Sequence, residues 1–358
     1  MDSLTQAVLG AALQGTVLGR IQGRRSLVYG AALGTLPDLD VVIRYADPVS
    51  SMTYHRGFSH SLFVLTALAL ALAWLVAWLG QRYWPDRHYR WPRLFLAFWL
   101  VLVTHPVLDA FTVYGTQLLW PFTVTPQSWS AVFIVDPVYT LPMLATVIYA
   151  ACKGLTTRSQ AWLLGTVLFG AAYLGAGTVA RVAAEHRFEA SLQRQGIDVT
   201  EVKAMPLAFN SLVWRLLAKT ADGQYYEGIG SVFDRNPPEQ LRQSRHLELA
   251  IVLQGTPLHE RLRWFTGDWL RYDALGDQLV VTDLRMGMPG NYTFRFVMAK
   301  RDAQGNWQAI VPTRAPGGGA RSLLRTDVLA QVWQRIFEQR PPLPLVRWAS
   351  QDQAEQGG

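Results

Sequence analysis

From Leu4 to about Thr178 the chain is a succession of apolar runs, several of them close to 20 residues long and almost free of charge. A helix rises 1.5 Å per residue, so a run of that length matches the hydrocarbon core of a bilayer. Ser61–Gly80 and Ala161–Ala180 are the clearest spans. Leu94–Phe111 and Ala131–Cys152 also qualify, each with one acid inside it. Leu4–Gly19 and Leu27–Ile43 are shorter and rich in small residues, so they either span within a packed bundle or enter it partway. Six membrane helices are expected. Asp2 precedes the first apolar run, and no small-residue cleavage site follows it, so no secretory signal is expected.

The basic residues set the orientation. The net charge is +7, but in this half the arginines and lysines sit in short loops between apolar runs, as topogenic charges do. Arg20, Arg24 and Arg25 follow the first run. Arg82, Arg87, Arg90 and Arg93 follow the third, and Lys153 and Arg158 follow the fifth. With six spans these loops share one face, which the positive-inside rule puts in the cytoplasm. The opposite face has Arg44 and Arg56 and a loop, Thr112–Ser130, without charge. Trp84, Trp91, Trp120 and Trp129, near the ends of runs, read as interfacial anchors. No nucleic-acid motif accompanies the positive charge, so no nucleic-acid partner is expected. The single cysteine, Cys152, provides neither a disulfide framework nor a thiolate metal site, and no disulfide-linked partner is expected.

From Arg181 onward the composition is that of a soluble protein. Asn210–Thr220 and Tyr225–Asp234 flank a turn, as do Tyr292–Arg301 and Trp307–Pro312, which predicts two hairpins. Leu279–Leu284 reads as a strand, and Pro238–Leu253, Pro257–Phe265 and Leu323–Glu338 as helices. Pro316–Gly319 reads as a flexible loop. The expected fold class is an α-helical polytopic membrane domain of about six helices over residues 1–183, then a small soluble, extracytoplasmic α+β domain over 184–348, and a disordered tail over 349–358.

The membrane half carries an unusual polar set. It comprises Asp2, Asp38 and Asp40, His55 and His60, His105 and Asp109, and Asp136. Each ionisable group at membrane depth costs about 2.5–3.5 kcal/mol on insertion scales, so such residues usually have a function. The topology assigned from Arg and Lys alone places all of them at one level on the outer face. His105 and Asp109 are four apart and share a helix face, with Pro106 between them. Gly57 lets the loop turn between the histidines, and Ser59 is placed to cap the third helix. Imidazole and carboxylate without thiolate suit a divalent metal ion, zinc ahead of manganese or iron. Taken singly, each residue also fits a helix cap, a salt bridge or a packing role. Asp136 begins an Asp-Pro turn, and Arg56 could pair with an acid. His88, His186, His246 and His259 are isolated.

At these positions the chain resembles the YdjM family of membrane-bound metal-dependent hydrolases. The resemblance rests on Met-Asp-Ser-Leu-Thr at 1–5, Leu-Pro-Asp-Leu-Asp at 36–40, His-Arg-Gly-Phe-Ser-His-Ser at 55–61 and Thr-His-Pro-Val-Leu-Asp at 104–109. It implies a bacterial inner (plasma) membrane protein with a metal site at Asp38, His55, His60, His105 and Asp109. Many members have His where this chain has Gln6, and an amide is a poor metal ligand.

The function expected is hydrolysis at the outer leaflet of a lipid or lipid-linked substrate, a phosphoester by preference. Asp2, Asp38, His55, His60, His105 and Asp109 are the candidate ligands. Asp38 or Asp40 is the candidate base, and Arg56 the group that would hold an anion. The alternatives are a metal-ion transporter, for which the cytoplasmic half lacks ligands, and a membrane anchor whose soluble domain binds a partner.

Overall fold

The computed structural model describes residues 1–85, 89–315, 326–340 and 343–356; Arg87, His88 and the loop expected at Pro316–Gly319 lie outside the described residues. The chain divides into two units. The first holds residues 1–43, 54–129 and 134–176, and the second holds 44–53, 130–133 and 177–358.

The first unit is helical: α1 (Ser3–Gln22), α2 (Arg25–Thr35), α4 (Leu62–Tyr83), α5 (Trp91–Ala110), α6 (Pro137–Lys153) and the start of α7 (Thr157–Gln193). A short α3 (Pro48–Tyr54) interrupts the order after α2. Three of these helices, α4, α5 and α7, are long and apolar enough to cross a membrane. The stretch read from the sequence as one segment, Leu27–Ile43, is helical only to Thr35 and tightens into a 3-10 helix over Leu36–Val42. Pro37 explains the change, because it has no N–H to donate and its ring crowds the preceding turn. Helix α6 begins at Pro137, not Ala131, with Asp136 as its cap. Helix α7 runs 13 residues beyond the expected end of its apolar span, Ala180, to Gln193.

Small residues let the helices meet closely. On α4, Leu65, Ala69, Ala73, Ala77 and Gly80 form a buried stripe at a spacing of three to four residues. It packs with Leu94, Ala97, Phe98 and Leu102 of α5 and Leu18 of α1. The other face of α4 exposes Leu70, Trp74 and Trp78, as a lipid-facing surface would. Helices α1 and α2 touch backbone to backbone. A methyl group at Gly30 would lie 2.2 Å from the Gly10 carbonyl oxygen, and one at Gly34 would lie 2.6 Å from that of Gln6. Glycine is required at both positions.

The second unit is strand-rich. One antiparallel sheet joins β1 (Val199–Pro206), β2 (Val213–Thr220), β3 (Gln224–Ser231) and β4 (Gln240–Ser244) in that order. A second antiparallel sheet involves β5 (Leu270–Leu275), β6 (Gln278–Asp283), β9 (Arg295–Arg301) and β10 (Trp307–Arg314) in the order β10-β9-β6-β5. Between β6 and β9 lies a small ribbon of β7 (Gly287–Met288) and β8 (Asn291–Tyr292). Both hairpins expected from turn residues are present, as β2–β3 and β9–β10. Pro238–Leu253, expected to be helical, is instead β4 followed by a 3-10 helix over Leu247–Leu253. Helices α8 (Pro257–Thr266) and α9 (Thr326–Phe337) match the sequence reading closely. A last helix, α10 (Leu345–Gln356), occupies most of the stretch read as a tail. Phe188 and Leu192 of α7 pack with Trp214 and Leu216 of β2 to form one core.

Candidate metal centre

Three chain segments converge at one end of the first unit. Helix α2 tightens after Thr35, which brings Asp38 and Asp40 to the end of the bundle. The turn after α3 delivers His55, Arg56 and, in a 3-10 turn, His60. Arg56 adopts a positive φ of 61°, which turns the loop sharply enough for two histidines five residues apart to face different neighbours. The last turns of α5 supply His105 and Asp109 from one face.

Asp38, His60, His105 and Asp109 each offer one ligand atom, and the four atoms lie within 4.8 Å of one another. The two Nε2 atoms of His60 and His105 are 3.3 Å apart. Asp38 Oδ1 is 3.5 Å from His60 Nε2 and 3.3 Å from His105 Nε2. Asp109 Oδ2 is 3.3 Å from His60 Nε2 and 3.8 Å from His105 Nε2. A tetrahedral ion with bonds of about 2.0–2.1 Å separates its ligand atoms by about 3.3–3.4 Å. The spacing fits.

Hydrogen bonds outside the four fix what each imidazole presents. His105 Nδ1–H donates to the Gly34 carbonyl at 2.6 Å. Ser59 Oγ–H donates to Asp40 Oδ2 at 2.7 Å, so the serine oxygen is left to accept from His60 Nδ1–H at 2.9 Å. Both Nδ1 protons therefore point outward, so each imidazole, when neutral, turns its Nε2 lone pair inward. Facing them are two carboxylate oxygens. Asp109 Oδ2 is buried and makes no hydrogen bond among the described residues. Asp109 is also ion-paired with Arg56 and, through Oδ1, with the Met1 ammonium, while a cation or a shared proton between the four ligand atoms would satisfy Asp38 and both Nε2 atoms. The residues therefore fit a divalent metal ion. Three of the four are buried, and only the Asp38 side chain, 22% exposed, opens to the outside.

The other candidates lie elsewhere. Asp40 is not among the four; it accepts from His55 Nδ1 at 2.9 Å, from Ser59 Oγ and from the Arg56 backbone N–H at 3.2 Å. His55 is 27% exposed, and its ring centroid lies 5.9 Å from that of His60. Asp2 caps α1 through the Thr5 N–H and hydroxyl, at 3.0 and 2.5 Å. Arg56 is buried: its Nε lies 3.0 Å from Asp109 Oδ2, NH1 donates to Thr112 Oγ1, and the guanidinium covers the Tyr114 ring. Asp136 caps α6 and accepts from the Tyr173 hydroxyl. Ser61, not Ser59, caps α4, accepting from the Val64 N–H. The sequence reading gave no role to Gly34 and weighed Gln6 only as a poor metal ligand. Gln6 Nε2 donates to Asp109 Oδ1 at 3.1 Å and to the His105 carbonyl at 3.2 Å, and so holds the acid against the site. Its signal was a buried polar residue four positions after Asp2 in an apolar helix.

In the second unit His186 is exposed beside Glu189, and His246 lies beside Glu248. His259 is buried against Tyr272.

Among known proteins, the chain is similar to an uncharacterized Bacillus subtilis (strain 168) protein, YfhP. The two are 26% identical over 324 residues, which are 82% of this chain and 89% of that protein. No solved structure matches the chain. The model of the YdjM inner membrane protein family matches residues 1–184, the half that contains all four clustered residues, and the chain belongs to that family.

Proposed function

We propose that this protein is a membrane-bound, metal-dependent hydrolase, acting at the outer leaflet on a phosphoester of a lipid or lipid-linked substrate. The reading rests on the four converging acceptors of Asp38, His60, His105 and Asp109, whose tautomers are set by partners outside the site. A divalent ion, zinc first, would polarise the scissile group and acidify a water there. The chain's own residues divide the remaining work. Asp38, on the open side, meets an incoming group first. His55 stands beside the four with Nδ1–H fixed on Asp40, an arrangement suited to proton transfer through Nε2, so we assign it that role in place of a ligand's. Arg56 balances Asp109 from behind and leaves little of its guanidinium for substrate. The depth of the site, at the ends of membrane helices, favours a lipid substrate.

The proposal includes six spans, with α1, α2 and α6 crossing inside the bundle beside the three longer helices. It also places the basic loops in the cytoplasm and the strand-rich unit outside, in the periplasm where there is one. The test is turnover of lipid phosphoesters by purified, metal-loaded protein in detergent, with no transmembrane gradient. His55→Ala should keep its metal and lose turnover at least a hundredfold, while His105→Ala should lose both. A protein that holds one ion per chain, hydrolyses no such ester and moves the ion across vesicles would replace this reading with transport.

A further inference from the structure

At the other end of the helical unit there is a cavity of about 340 Å³. It is separate from the metal centre: Phe98, which lines it, precedes Asp109 by 11 residues on α5, about 16 Å along the axis. Its walls are apolar, with Leu33 of α2 and Leu72 and Val76 of α4 among them. Tyr29 and Trp84, both exposed, also line it, and exposed aromatic rings at helix ends mark the headgroup level of a bilayer.

Arg25, Gln14 and Gln22 break this apolar lining. Arg25, exposed at the start of α2, brings a positive charge and makes no ion pair among the described residues. Deeper in lies Gln14, with no exposed surface. Its Nε2 donates to Gln22 Oε1 at 3.2 Å, but its own Oε1 has no hydrogen-bond partner among the described residues. A buried amide oxygen left without a donor costs about 1–3 kcal/mol. An occupant that brings a hydroxyl would recover that cost. The order of features from the mouth inward is cation, acceptor, apolar wall.

We propose that the cavity binds a single-chain lipid phosphate carrying a free glycerol hydroxyl. The phosphate would meet Arg25, the hydroxyl would donate to Gln14 Oε1, and the one acyl chain would lie along Leu33, Leu72 and Val76. The cavity is near the lower end of the range for ligand pockets, which suits one chain and not two. This site does not depend on the metal centre or on hydrolysis.

The test is native mass spectrometry of the full-length protein, titrated with 1-oleoylglycerol 3-phosphate, with oleyl phosphate, which lacks the hydroxyl, and with dioleoyl phosphatidic acid, which has two chains. The single-chain lipid with the hydroxyl should bind about tenfold tighter than oleyl phosphate, as expected for one satisfied buried hydrogen bond. Gln14→Leu should abolish that difference. Arg25→Gln should weaken both phosphates by up to about fivefold, and Val76→Phe, which fills the cavity, should remove binding. His60→Ala should bind the lipid unchanged. Equal affinity for the two single-chain ligands, tighter binding of the two-chain lipid, or full retention in Val76→Phe would overturn the proposal. If Gln14→Leu does not fold, the ligand pair on the parent and the Val76→Phe result decide it alone.

Discussion

Both units bury charge, but they balance it differently. In the strand-rich unit each of three buried acids faces its own arginine: Glu227 with Arg215, Asp283 with Arg285 and Asp234 with Arg335. Arg285 and Asp283 form a fork, with NH2 2.8 Å from Oδ2 and Nε 3.0 Å from Oδ1. Each acid has its cation inside the protein, although Glu227 Oε2 and Arg215 NH2 make no hydrogen bond among the described residues. In the helical unit two cations, Arg56 and the Met1 ammonium, both sit on Asp109, while Asp38 has two imidazoles beside it and no arginine, lysine or ammonium ion pair among the described residues. Four ligand atoms still converge on one point there. Paired charges are what a core does with charge it must bury; ligand atoms of four side chains converging on one point are an arrangement that a cation from outside would complete.

The comparison breaks most sharply if metal content fails to separate the two units. His60→Ala, His105→Ala and Asp109→Ala should each lower bound metal by about a hundredfold or more, as measured by elemental analysis of folded protein, because each removes one of four candidate ligands. Glu227→Gln and Asp283→Asn should leave it unchanged. Equal occupancy in all five variants would make the cluster a structural network like the others.

The next effect runs the other way. Glu227→Gln strands Arg215, whose side chain is 2% exposed, and should destabilise the strand-rich unit by about 3–5 kcal/mol in denaturant unfolding followed by circular dichroism. The metal-site variants should stabilise or destabilise that unit by no more than about 0.5 kcal/mol in metal-free buffer. A large loss there would show that the two units do not behave independently.

A smaller effect tests the hydrogen bonds around the cluster. Ser59→Ala removes the link from Asp40 to His60 and should weaken metal binding about tenfold, well short of losing a ligand. Ser61→Ala, two residues on, removes only the α4 cap and should leave metal affinity unchanged while costing about 1 kcal/mol of stability. A reversed pair of results would return Ser59 to the capping role its sequence position suggests.

That pair also shows what was legible in the sequence. The polar set itself was, because ionisable residues stand out in apolar runs, and His105 and Asp109 share a face by helix periodicity alone. Which member of each neighbouring pair turns inward was not. Asp38 and Asp40 lie in a 3-10 turn that Pro37 imposes, and His55 and His60 are separated by the positive φ of Arg56. Neither rotation has a period that can be read from spacing. The Gly34 carbonyl that orients His105 depends on a contact between α1 and α2 at glycines whose value is their lack of side chain. For the fold, hydropathy marked where α7 stops being apolar. It could not mark where the helix stops, because Arg, Ala and Glu after Ala180 favour helix as much as the apolar residues before it. The β2–β3 and β9–β10 hairpins were legible from their turns, whereas β4 was hidden in a stretch whose apolar spacing imitates a helix.

The smallest effect concerns the one buried histidine of the strand-rich unit, which contrasts with the pair in the helical unit. Both ring nitrogens of His259 are paired: Nδ1–H donates to the Leu253 carbonyl at 3.2 Å, and Nε2 accepts from the Tyr272 hydroxyl at 2.9 Å. Neither nitrogen is left over, and burial holds the imidazole below its ordinary value. The unfolded chain takes up a proton near pH 6.5, while the folded one resists it until a lower pH. Stability is therefore fully present above about pH 7 and falls as pH drops through 6.5 toward the folded value, by at most about 1.4 kcal/mol per pH unit for this one group. Denaturant midpoints at pH 7.5 and 5.5 should show the loss, and in His259→Gln the part due to this group should vanish even if the variant is less stable throughout. An unchanged slope in His259→Gln would mean that another group sets the acid limit. Metal binding by His60 and His105 should be unaffected by that substitution at either pH, since its reach ends at Leu253 and Tyr272.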